Sequence, residues 1–233
     1  MNKEEFLLET KKLDINISVD TLKQLEEYYN LLVEENKKYN LTAITEEKQV
    51  YLKHFYDSLC LTKIIKLDNQ YILDIGTGAG FPGLVLKIVF PNIKIDLLDS
   101  TNKRCLFLQM VIDKLNLKDV NVINARAEEY AKENREKYDI VTSRAVAPLK
   151  HLLEYSIPSL KIGGSFISLK SNIEEETKKI DNYHNKLYLS KEEIIKYELP
   201  IENSLRTLYK VTKDKKTPLI YPRTYSQIKK KEI

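Results

Sequence analysis

The residues with the clearest chemical content stand together. Four of the six glycines fall within Asp74-Ile75-Gly76-Thr77-Gly78-Ala79-Gly80-Phe81-Pro82-Gly83, directly after the short apolar run Tyr71–Ile75. Crowding of this kind marks a strand end where the chain turns sharply and its backbone approaches a ligand that a Cβ would block. Pro82 then suits the first turn of a helix. Ligands of an open parallel sheet bind beyond the carboxyl ends of its strands, so the expectation is a site for a nucleotide-like cofactor. Gly78, Gly80 and Gly83 satisfy the G-x-G-x-x-G spacing of dinucleotide sites. Counted from the strand end, however, the turn begins at Gly76, and Phe81 holds the third glycine's place. Asp74 is expected beside the ligand, where a carboxylate would repel a pyrophosphate and suit the sulfonium and ammonium of S-adenosylmethionine. The D-x-G-x-G-x-G turn therefore reads as a methyl-donor site, and a P-loop is excluded because no Gly-Lys-Ser/Thr follows.

Asp99 ends the next apolar run, 23 residues after Gly76, and is placed to accept ribose hydroxyls, with a helix cap as its structural alternative. Ala125-Arg126-Ala127-Glu128 follows a third run, where a backbone N–H and a carboxylate would read an adenine edge. Taken alone, Glu128 reads first as a first-turn helix acid. Arg144 ends a fourth run, at the same sheet edge. No acid or amide followed by Pro-Pro stands there for attack by an exocyclic amine, and no cysteine for attack on a pyrimidine carbon. Cys105 reads as core. A target that already has a lone pair, such as guanine N7, needs no base, and orientation alone supplies roughly 7–11 kcal/mol of a barrier. Arg144 would then orient, by bonding guanine O6 or by steadying the cofactor.

These residues need elements to hold them. Strands are expected at 71–75, 93–99, 120–125, 138–144 and 164–170, with helices near 82–90, 101–115, 127–136 and 148–159. That alternation predicts an α/β fold with a mostly parallel sheet covered on both faces. Three more strands are placed near 184–189, 194–199 and 205–212, two of them pairing antiparallel at the sheet edge. The first 66 residues read as a helical cap on a core spanning 67–233. Asp20 is the expected N-cap of a helix carrying Leu22, Leu25, Tyr29, Leu32 and Val33 on one face. A second run from about 46 to 66 brings Val50, His54, Asp57, Ser58, Leu61 and Ile65 together on one helix. His54, one turn before Asp57, reads first as a structural hydrogen-bond partner, with a switch or catalytic role open.

With 42% hydrophobic and 31% charged residues among 233, the chain has ample material for a core and little reason for disorder. No apolar run approaches the roughly 18 residues of a membrane span. The N-terminus mixes acids and bases from its third residue, which disfavours a signal peptide. Cys60 and Cys105 give neither a disulfide framework nor a metal-ligand cluster. A soluble cytoplasmic protein is expected, monomeric, with no metal, membrane or DNA partner. From Leu205 to Ile233, nine Lys/Arg stand against two acids, a local +7 in a chain of net charge +4. Tyr209, Tyr221 and Tyr225 are interleaved with them. This tail is either solvated or an RNA-binding surface.

The motifs NKKYNLTAI (36–44), HFYDSL (54–59), LDIGTGAGFPGLVLKI, LLDSTNKRCLFL, Ala125-Arg126-Ala127-Glu128, TSRAVAPL and Tyr221-Pro222-Arg223 resemble those of the ribosomal small-subunit methyltransferase G family, also called glucose-inhibited division protein B. The resemblance implies a Rossmann-like S-adenosylmethionine-dependent fold and methylation of N7 of one guanosine in 16S ribosomal RNA. It places cofactor contacts at Gly76, Gly78, Phe81, Asp99, Ala127, Glu128 and Arg144. Asn40, His54, Asp57 and Arg223 fall on motif positions near the RNA face, and Lys229 and Lys230 of the tail join that surface. The chain departs from the pattern at Thr224, Tyr225 and Ser226, where a basic residue and a glycine are usual, and across 172–200. The competing readings are a small-molecule methyltransferase, a non-catalytic RNA-binding factor and an NAD-dependent oxidoreductase.

Overall fold

Short runs rich in β-branched and aliphatic residues form the strands β1 (Tyr71–Ile75), β2 (Lys94–Asp99), β3 (Val120–Asn124), β4 (Tyr138–Arg144), β5 (Leu160–Lys170), β6 (Glu193–Glu198) and β7 (Leu205–Thr212). The computed structural model describes residues 1–144 and 146–233, so Ala145 of the TSRAVAPL motif lies outside the described residues. The strands make one sheet in the order β3-β2-β1-β4-β5-β7-β6. β1 to β5 run parallel, and β7 pairs antiparallel with both β5 and β6. Strand order reverses between β1 and β4, which makes their carboxyl ends the switch point where such sheets bind ligands. The Rossmann-like expectation therefore holds in its sheet order, and the crossover helices Gly83–Val89, Asn102–Lys114, Ala127–Glu133 and Leu149–Ser156 lie where the pattern placed them.

Three local expectations need correction. The helix Val19–Tyr39 is capped by Ser18, whose Oγ accepts the Thr21 N–H at 3.1 Å, and Asp20 becomes a first-turn acid. The segment 184–189 is no strand. Asp181–Leu187 forms a helix that buries Tyr183 and Leu187 four residues apart, and only Leu189 bridges to Lys213. So short an apolar run does not separate the two periods. The second cap helix is not regular either. It starts at Glu47, widens into a π-helical turn over Tyr51–Tyr56, where the Asp57 N–H reaches Leu52 O, and ends at Lys63. Such turns recur at functional sites.

Strand alternation divides the core. Ile72, Ile95, Leu97 and Ile140 pack with Phe6, Leu25, Tyr28, Phe55 and Leu59 of the cap in one buried cluster. Leu73, Ile75, Leu98 and Val141 face the other way, onto Leu149, Leu152, Leu153 and, from the C-terminus, Ile228 and Ile233. The cap thus covers one face of the sheet and the tail returns to the other. No described helix is long and apolar enough to cross a membrane.

Candidate active site

The carboxyl ends of β1 to β4 open into a cleft of about 730 Å³, a size suited to a nucleoside-bearing cofactor. Gly76, Gly78, Phe81, Asp99, Ala127, Glu128 and Arg144 all line it. The turn that builds its floor needs its glycines for different reasons. Gly76 sits at φ +66°, and a Cβ there would lie 2.5 Å from Val146 Cγ2. Gly78, at φ +61°, would meet nothing nearer than Gly76 O at 3.9 Å, so its missing side chain leaves space in the cleft itself. Tyr28 of the cap donates its hydroxyl to Ala79 O and fixes the turn from below.

Asp74 was expected beside the ligand; the structure places it behind the turn. It shares the cap face of β1 with Ile72, is fully buried and forms no part of the cleft wall. Its Oδ2 accepts the Gly83 N–H at 2.8 Å. Burial pushes its carboxyl up to about 6, against the pull of Thr77, the Gly83 amide and Arg144. A dinucleotide remains disfavoured, on different ground. The Gly80 and Phe81 amides both donate to Thr77 O at 2.9 Å, and that of Leu84 to Gly80 O at 2.8 Å. With Gly83 taken by Asp74 and Pro82 lacking a proton, the helix start has little to offer a diphosphate.

Asp99 is 3% exposed, and the helix N-cap that was its alternative role falls to Thr101. Its Oδ1 accepts the Thr101 N–H at 2.8 Å, while Oδ2 accepts the Gly78 N–H at 3.0 Å and the Arg104 guanidinium at 3.3 Å. A carboxylate so oriented still has lone-pair capacity for a hydroxyl. Glu128 opens the helix Ala127–Glu133 and takes Arg126 Nε at 2.6 Å.

At the cap end of the cleft, Arg144 Nη1 donates to Lys53 O at 2.9 Å and to Asp57 Oδ2 at 3.4 Å. Its Nη2 donates to His54 Nδ1 at 3.1 Å. Nδ1 also lies 3.2 Å from Lys53 O, but that carbonyl already accepts from Arg144 and an arginine cannot accept, so the arrangement favours the tautomer protonated on Nε2, which faces Thr42 Oγ1 at 3.0 Å. Burial and the adjacent guanidinium drive His54 down to about 3, so it is neutral. The ring stacks on Phe81 with centroids 4.2 Å apart, and the guanidinium lies 5.1 Å from the same phenyl. Asp57 also accepts from Tyr197 Oη at 2.8 Å, with Arg206 Nε 3.7 Å away. Cap, glycine turn, β4 and the β6–β7 hairpin therefore converge here.

A family model described as rRNA small subunit methyltransferase G matches residues 21–204. The ribosomal RNA small subunit methyltransferase G of Mesoplasma florum is 50% identical over 211 residues, covering 89% of this chain and 87% of that protein. That of Listeria monocytogenes is 45% identical over 227 residues, covering 96% and 95%. The chain belongs to the rRNA small subunit methyltransferase G family. As a member it is a small-subunit ribosomal RNA methyltransferase with S-adenosylmethionine as methyl donor. Among solved structures, TYW2 of M. jannaschii in complex with AdoMet aligns with TM-score 0.55 and 14% identity, over 73% of this chain and 77% of that one, a likeness of fold.

Within this family member, the other expected RNA residues separate. Asn40 ends the long cap helix in a left-handed conformation at φ 49°, a place that itself favours asparagine, and is exposed. Arg223 is not on an open face: it makes a two-pronged pair with Glu154, Nε to Oε1 and Nη2 to Oε2 each at 2.8 Å, and Glu154 is wholly buried. Lys229 and Lys230 are both exposed, and Lys229 also lies over the Tyr225 ring at 4.7 Å and lines the cleft. Sequence reasoning did not single out Thr42 or Tyr155, which line the cleft too, and it read Tyr225, another lining residue, only as one of the tail's aromatics. Thr42 was visible in the NLTAI motif; Tyr225 stands where the family pattern breaks.

Proposed function

We propose that the cleft binds S-adenosylmethionine through Gly76, Gly78, Phe81, Asp99, Ala127 and Glu128, and that the enzyme methylates N7 of a guanosine in 16S ribosomal RNA. The group when bound supplies a methyl already activated by its sulfonium. Residues 1–66 act as a cap that, with Asn40, Lys230 and the surface around His54, presents the RNA to the core at 67–233. The same reading makes it a cytoplasmic monomer with no DNA substrate.

One observation favours N7 above other acceptors: the ionisable side chains at the cap end of the cleft are already engaged. His54 has Nδ1 filled by Arg144 and its proton directed at Thr42. Asp57 receives Tyr197 and Arg144. Neither is placed to remove a proton, and guanine N7 has none to remove. What this end does offer is orientation. Thr42 Oγ1 accepts from both His54 and the Ile44 N–H at 3.1 Å, which turns its own proton toward other acceptors. Arg144 retains N–H donors beyond those given to Lys53, Asp57 and His54, and guanine O6 is a matching acceptor.

The test is incubation with labelled S-adenosylmethionine and 16S RNA lacking the modification, followed by nucleoside analysis. Label in 7-methylguanosine is expected. Label at another atom, or none from a folded protein that binds the cofactor, overturns the proposal.

A further inference from the structure

The basic tail is tied to the core at several points, although Lys229, Lys230 and Lys231 lie exposed. Arg135 clamps its approach, Nη1 donating to Tyr221 O at 2.7 Å and Nη2 to Thr217 O at 2.6 Å. The Arg223–Glu154 pair anchors the next residues. A short helix, Tyr225–Lys230, follows, opened by a reciprocal Thr224–Gln227 cap and held down by Ile228, which is 2% exposed among Leu149, Leu152 and Leu153. These anchors bring Tyr225 to the mouth of the cleft, on the side formed by Arg126, Ala127 and Glu128.

There two cations approach the ring, with the Arg126 guanidinium 4.2 Å and the Lys229 ammonium 4.7 Å from its centroid. The stack orients Arg126, whose Nε holds Glu128 at 2.6 Å. A tyrosine made more electron-demanding by nearby cations, 37% exposed and set on a cleft wall, is a stacking platform for a flat heterocycle. We propose that the C-terminal helix completes the cofactor cleft and that Tyr225 packs on the adenosine of the bound donor, with Arg126 and Glu128 held in register beneath it. This rests on the assignment of Ala127 and Glu128 to the adenine end. An adenosine is favoured over an RNA base because the ring borders the cleft together with Glu128 and Tyr155.

The experiment is calorimetry of the full-length protein with S-adenosylmethionine and S-adenosylhomocysteine, without RNA. Tyr225→Ala should weaken both by about tenfold. Tyr225→Phe, which keeps the ring, should stay within about twofold of wild type, and Tyr225→Leu, which keeps bulk without an aromatic face, should resemble the alanine variant. In steady state, KM for the cofactor should rise with kcat and the RNA KM unchanged. Gly78→Val is measured alongside. If it abolishes binding while Tyr225→Ala binds like wild type, the cleft assignment stands and the tail inference is overturned. If Tyr225→Ala raises only the RNA KM, the ring serves RNA and the inference is likewise overturned. Normal binding by both variants removes the cleft assignment and this inference with it.

Discussion

Asp74 and His54 both lie near Arg144, and they should drive stability in opposite directions with pH. Burial raises the Asp74 carboxyl from 3.8 to about 6. Between those values the folded chain keeps a proton that the unfolded chain has released, so stability falls as pH rises. Burial and Arg144 lower the His54 imidazole from 6.5 to about 3. Across that window the unfolded chain takes a proton that the folded chain refuses, so stability is full above 6.5 and is lost as pH falls toward 3. Each term changes by about 1.4 kcal/mol per pH unit, so between about pH 4 and 6 they nearly offset each other. Asp74→Asn removes the falling term, and relative to wild type it should gain about 3 kcal/mol over that interval. His54→Asn removes the rising term and should lose about as much, relative to wild type, over the same interval. Urea unfolding in closely spaced pH steps, plotted as variant minus wild type, isolates each slope because the other carboxylates cancel. If the Asp74→Asn difference stays flat within about 1 kcal/mol, the carboxyl is ionised in the folded protein and burial does not raise it.

Further outcomes follow from the same contacts. Gly78→Val forces a β-branched residue into φ +61° and fills open cleft, so calorimetry should find no cofactor binding; a folded variant that binds normally would mean the turn is misassigned. Arg223→Ala strips two charged hydrogen bonds from a fully buried Glu154 and should cost about 3 kcal/mol in urea unfolding, with the tail newly open to proteases. A loss below about 1 kcal/mol would show that Arg223 is no anchor. Neutralising Lys230 and Lys231 should reduce the salt slope of RNA binding by up to about 2 units, and an unchanged slope would assign both to solvent.

What could be read from the sequence was local. The glycine turn, the strand–helix alternation and the acids at Asp99 and Glu128 depend on residues within a few positions of one another, and the structure gathers them around one cleft. The direction of Asp74 is also a local matter, since period-two alternation sends it to the face of Ile72 and leaves Ile75 to meet the cleft. Proximity to the turn was mistaken for proximity to the ligand. The partners of Arg144 and Arg223 were not legible, because they are set by packing between distant segments. Asp57 meets Tyr197 across 140 positions, and Arg223 meets Glu154 across 69. A basic, tyrosine-bearing tail has the composition of a solvated one until Glu154, Arg135 and a pocket for Ile228 are brought to it.

Arg144 is where these long-range contacts bear on the reaction. One guanidinium ties the Lys53 carbonyl and Asp57 of the cap to the end of β4, and lies against Phe81 of the glycine turn. Asp57 extends the tie to Tyr197 of β6. A cap that shifted by an ångström would have to break charged hydrogen bonds and unstack His54 from Phe81. The mouth of the cleft is therefore set by the same groups that hold the cap in place. For a transfer that needs alignment and no proton removal, that rigidity is the catalytic contribution the fold can make. It also accounts for the pairing of Arg144 with Asp57 and the Lys53 carbonyl: a charge free to move would orient nothing.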